Sequence, residues 1–128
     1  MKVVYVAGPY RNNTVLGTMA NIDRARKVAM VIWKMGYVAV CPHTNSALFD
    51  EVTHESVFLK GYLELVKRCD VVVVVPNYHE SEGTLAEIEV ALLNGIPVIR
   101  FPDGYDYEAE EIVVLKELID AKRTRLQA

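Results

Sequence analysis

Few features that would assign a chemistry at sight are found in this chain. Only two of its 128 residues are cysteines, Cys41 and Cys69, and they form no C-x-x-C pair. They read as buried free thiols rather than a disulfide or a nucleophile. Three histidines, His43, His54 and His79, fall on three separate segments without ligand spacing, so no metal centre is expected. Neither a Walker loop nor a Gly-x-Gly-x-x-Gly motif is present, which argues against ATP hydrolysis, nicotinamide redox chemistry and a bound cofactor. No run approaches the roughly 20 apolar residues of a membrane span. The N-terminal run from Met1 to Gly8 is too short for a secretory signal, and a cytoplasmic location is expected. Positive charge is not in excess: the net charge of -3 disfavours nucleic-acid polymers as partners, while a local patch could still hold one phosphate.

What is there is a hydrophobic content of 52% with 24% charged residues, the balance of a well-packed globular protein. The length suits a single domain over residues 1–128. Val3 to Ala7 is a short apolar run stopped by Gly8-Pro9, which suggests a central strand, and the polar loop from Tyr10 to Thr14 follows. A helix is expected from about Met19 to Met35, its apolar stripe made by Ile22, Ala25, Ala29, Ile32 and Trp33 and its C-cap by Gly36. Tyr37 to Cys41 reads as a second strand, followed by a connection through His43 to Thr53 that is long enough to be functional. A helix from Glu55 to Cys69 leads to a third strand, Val71 to Val75, with Asp70 at its N-terminal end in a structural role.

A third helix is expected from Thr84 to Asn94, and it is apolar nearly all round. That predicts one side packed on the sheet and another on a second subunit, hence a homo-oligomer. Pro97 to Phe101 reads as a fourth strand and Glu108 to about Arg123 as a last helix. Asp106, Glu108, Glu110 and Glu111 at its start, and Lys122, Arg123 and Arg125 at its end, complement the helix dipole. Four strand and helix alternations imply a small flavodoxin-like α/β three-layer sandwich, with a parallel sheet of four or five strands in the order 2-1-3-4.

In that order the ligand crevice opens at the C-terminal ends of strands 1 and 3. Two unusual loops meet there: Gly8-Pro9-Tyr10-Arg11 and the segment from Asn77 to Gly83. The second leads into Ser81-Glu82-Gly83-Thr84-Leu85-Ala86-Glu87, which puts a carboxylate near a helix N-terminus, where it should be kept ionised. As local structure, Thr84-x-x-Glu87 is also a capping box, with Thr84 as N-cap. Arg11 could grip a phosphate or carboxylate, Ser81 and the Gly83 turn could receive an anion, and the Tyr5 phenol could hydrogen-bond a carboxylate or a sugar hydroxyl. The early residues of the preceding helix, His54, Glu55, Phe58 and Tyr62, point to the cleft side.

These ordered motifs, Val4-Tyr5-Val6-Ala7-Gly8-Pro9-Tyr10-Arg11, Cys69-Asp70-Val71-Val72-Val73 and Ser81-x-Gly83-Thr84-x-x-Glu87, with Gly95-Ile96-Pro97-Val98, resemble the nucleoside 2-deoxyribosyltransferase superfamily over most of residues 3 to 101. That superfamily includes deoxynucleoside 5'-monophosphate N-glycosidases. The resemblance implies that Glu87 attacks the anomeric carbon to give a covalent 2-deoxyribosyl intermediate, which a base or water resolves. It implies further that Tyr5 orients the nucleophile and that Arg11 and Ser81, beside Gly8, Pro9 and Gly83, line the substrate pocket. Gly83-Thr84-x-x-Glu87 is also similar to the Gly-Thr-x-x-Glu of lysine-decarboxylase-like phosphoribohydrolases. One position departs: where the family commonly has an aspartate to handle the proton of the departing base, this chain has Tyr62. Glu51, His54 and Glu55 are the nearby groups that could replace it, and a non-catalytic nucleotide-binding module is the alternative.

Overall fold

Val3–Ala7 and Val71–Val74 are unbroken apolar runs, rich in valine, and such segments form strands covered on both faces. The computed structural model describes residues 1–76, 81–102 and 112–121, and in it these runs are β1 and β3. With β2 (Val38–Val40) and β4 (Val98–Arg100) they make a four-stranded parallel sheet in the order β2-β1-β3-β4. The expected flavodoxin-like order is therefore present. Ala7 pairs with Val74, so β1 and β3 end level with each other at the point where the strand order reverses.

Alternate side chains of the sheet feed two cores. Val4, Val6, Val71 and Val73 share one with α1 (Val15–Lys34) and α5 (Ile112–Ala121), through residues such as Ile32 and Ile119. Tyr5, Ala7, Val72 and Val74 share the other with α3 (Glu55–Arg68) and α4 (Glu82–Leu93), through Val66 and Ala91. A short helix, α2 (Pro42–Asn45), follows β2. None of the helices among the described residues is long and apolar enough to cross a membrane.

Several local expectations need correction. Helix α1 starts at Val15 rather than Met19, because the Thr14 hydroxyl accepts the Gly17 N–H at 2.9 Å and caps a turn that has no apolar stripe to announce it. Trp33 is 56% exposed, since the buried face runs through Ala25, Val28, Ala29 and Ile32 and the next residue lies about 100° further round. Helix α4 starts at Glu82, not Thr84. Ser81 is its N-cap, with the side-chain oxygen accepting the Thr84 N–H at 3.2 Å, so the Thr84-x-x-Glu87 capping box does not form. Gly36 and Gly95 follow the ends of α1 and α4 at φ +90 and +68, the left-handed conformation that suits glycine after a helix.

Asp70 has the structural role its position suggests. Its carboxylate accepts the Val3 N–H at 2.8 Å and its own N–H donates to the Val3 carbonyl at 2.8 Å, tying β1 to β3 at the end away from the cleft. Cys41 and Cys69 are buried and not disulfide-bonded. The charged start and end of the last helix, 106–111 and 122–125, lie outside the described residues.

Candidate active site

The C-terminal ends of β1 and β3 open onto a cleft of about 860 Å³. Its dry wall is formed by Glu87, in the second turn of α4, backed by Tyr5 of β1. Tyr5 is fully buried and its hydroxyl donates to Oε2 of Glu87, which is itself only 8% exposed. Burial pushes the Glu87 carboxyl up from its usual value to about 7, against the opposing pull of the Tyr5 hydrogen bond. The helix N-terminus gives this carboxylate less help than expected, because the dipole acts mainly within the first turn and Glu87 lies beyond it, while burial raises its pKa. The Tyr5 phenol is raised far above the ordinary range, first by burial and then by Glu87, so it stays protonated and remains a donor.

The mouth of α4 lines the same cleft through Ser81, Glu82, Gly83 and Thr84. The Ser81 hydroxyl is engaged as the cap, while the first-turn N–H groups of Glu82 and Gly83 have no acceptor within the helix. Space beside Gly83 is open, since an added Cβ would come no nearer than 4.0 Å to Ser81 Oγ. Thr84 is 1% exposed and its hydroxyl has no hydrogen-bond partner among the described residues.

The floor is the Gly8-Pro9 loop. Nε2 of the buried His43 lies 2.9 Å from the Gly8 carbonyl and 3.1 Å from that of Pro9, and two acceptors require it to be the protonated nitrogen. Burial lowers the pKa of His43, which favours the neutral ring. A Cβ on Gly8 would lie 2.2 Å from Val75 Cγ2, so glycine is required by close approach to the end of β3.

The rim is wet and charged. Arg11 pairs with Asp50 at 3.1 Å and Glu55 at 3.0 Å, so its fork is engaged within the protein. Tyr10 donates to Asp50 at 2.9 Å and accepts the N–H of Leu48, a residue at φ +62. His54 caps α3 by accepting the Ser56 N–H, and Tyr62 lies 2.5 Å from Ser46 Oγ while accepting from Asn45 at 3.1 Å. Arg24, half-buried in the cleft wall, donates to Asn21 at 2.9 Å and has no carboxylate partner among the described residues.

Of the residues picked out by sequence, Gly8, Pro9, Arg11, Ser81, Gly83 and Glu87 line this cleft directly, as do His54, Glu55 and Tyr62, whereas Glu51 is not among its lining residues. Tyr5 reaches it through Glu87. Asn77 to Glu80, including His79, lie outside the described residues. Sequence reasoning missed His43, Asp50 and the orphan hydroxyl of Thr84. Only His43 was within reach, because the strand order sets the residue after β2 beside Gly8. Among the described residues no group of three or more His, Cys, Asp or Glu is placed to hold a metal.

The family described as "Domain of unknown function (DUF7768)" matches residues 2–101. No curated protein matches the chain. Among solved structures, it is similar to a 2-deoxyribosyltransferase from Bacillus psychrosaccharolyticus, with 22% identity and a TM-score of 0.59 over 81% of this chain and 75% of that one. It is also similar to a conserved protein from Enterococcus faecalis V583, with 22% identity and a TM-score of 0.56 over 98% and 79% of the two chains. At this identity the likeness shows a shared fold.

Proposed function

We propose that this chain, which belongs to the DUF7768 family, cleaves or transfers the N-glycosidic bond of nucleosides or their 5'-monophosphates. The observation that carries the reading is the Tyr5 hydroxyl bonded to a buried Glu87 carboxyl at the sheet's switch point, facing a cleft large enough for a nucleotide. A carboxylate in that position can attack C1' of the sugar. The C1'–N bond breaks as the C1'–O bond to Glu87 forms, the C1'–N electron pair leaves with the base, and the base takes up a proton from solvent water. Water or a second base then displaces Glu87. Tyr5 holds one carboxylate oxygen and leaves the other for the sugar.

The first-turn N–H groups at the mouth of α4, which have no acceptor within the helix, suit the 5' end of the substrate. Arg11 fits that role less well than its sequence position suggests, since two carboxylates already occupy it. Exposed Leu85, Leu92 and Leu93 on α4 support a homo-oligomer, and a monomeric mass by light scattering at micromolar concentration would count against it. The reaction is tested by incubating the protein with deoxynucleosides and their monophosphates in the presence of a second base. Free base or exchanged nucleoside is expected; neither appearing with any substrate sinks the reading. Tyr62 at the acid position favours a second reading, a nucleotide-binding module without turnover. In that case wild type and Glu87→Ala bind nucleotides alike and neither releases base.

A further inference from the structure

From the orphan hydroxyl beside Glu87 we infer that Thr84 is a sugar contact, bonding a ring hydroxyl of the bound nucleoside or nucleotide. The inference rests on the glycosidic reading for its placement. Thr84 and Glu87 are three residues apart on α4, so they share a helix face with roughly 5–6 Å between their Cβ atoms. Both line the cleft. Thr84 lies between the open N–H groups at the helix mouth and the carboxyl. With the 5' end at the mouth and C1' at Glu87, what passes Thr84 is the sugar ring.

A buried hydroxyl without a partner costs stability, and none of the described neighbours relieves this one. The Ser81 hydroxyl oxygen accepts the Thr84 N–H and not its hydroxyl, and Tyr5 donates to Glu87. A sugar hydroxyl can both donate and accept, so it satisfies Thr84 in either sense. The 2'- and 3'-hydroxyls share this chemistry, and they are separated by the choice of ligand.

The test uses the full chain in a Glu87→Gln background, which cannot turn over, titrated calorimetrically with adenosine, 2'-deoxyadenosine and 3'-deoxyadenosine 5'-monophosphates. Adding Thr84→Val should weaken, by about tenfold, the ligands that carry the contacted hydroxyl and spare the one that lacks it. Thr84→Ser should stay within about threefold of the parent. Without ligand, Thr84→Val should melt at the same temperature as the parent or higher, because it removes an unsatisfied polar group. Equal loss for all three ligands, no loss for any, no binding to the parent, or a lower melting temperature would each overturn the inference. Thr84-dependent binding without base release by wild type would retain it and sink the glycosidic reading. Base release with binding indifferent to Thr84 would do the converse.

Discussion

The two sides of the cleft hold carboxylates in opposite circumstances. On the rim, Asp50 and Glu55 sit in water and face a guanidinium, with side chains 38% and 63% exposed. On the dry wall, Glu87 has a phenol for company and no cation among the described residues. Ion pairs in water contribute little, because the charges are screened and long side chains lose freedom in holding them. A buried carboxyl with one neutral donor is poised near neutrality. Charge is thus most abundant where it does least, and the reactive candidate lies where charge is hardest to keep.

The largest expected effect tests the dry side. The carboxyl of Glu87 titrates at about 7 when folded and near its ordinary 4.5 when unfolded, so the folded state binds that proton more tightly. Its stabilising contribution is full below the unfolded value and is lost as pH rises through 7. Denaturant melts at pH 5 and pH 8 should therefore differ by on the order of 3 kcal/mol in favour of the acid side, and Glu87→Gln should remove that difference. A slope unchanged in the variant would mean that some other group sets it.

Gly8→Ala forces a methyl into Val75 and should cost about 2 kcal/mol, read as an earlier urea midpoint. Tyr5→Phe removes the hydrogen bond that holds the Glu87 carboxyl down, at a cost of about 1 kcal/mol to its ionised form. The rate of base release should rise with pH through the Glu87 titration, and this variant should move the inflection upward. An unmoved inflection would break the pairing of Tyr5 with the reacting group. Smallest of all, Arg11→Gln should change stability by less than about 1 kcal/mol, and by less again in high salt. A salt-independent loss would put the rim on the same footing as the dry wall.

Much of the fold was legible because it is written in long-period signals. The valine runs of β1 and β3 and the strand and helix alternation settle the sheet order, and that order brings Gly8, Arg11, Ser81 and Glu87 to one cleft. Local caps were less legible, since Ser81 and Thr84 are both competent N-caps and only the three-dimensional path of the chain chooses between them. Side-chain partnership was least legible. Nothing in the spacing of Arg11, Asp50 and Glu55 says that they meet, because they come from three separate segments. The burial that raises Glu87 is likewise a property of the packed neighbours and not of its own helix.

His43 carries a mechanical consequence. A ring whose protonated nitrogen answers two consecutive carbonyls works as a staple, and Gly8-Pro9 is the loop it fastens to the segment after β2. Proline stiffens one side of the stapled loop and the packed contact of Gly8 with Val75 the other. The floor of the cleft is therefore braced like an anvil, its shape held by contacts within the protein.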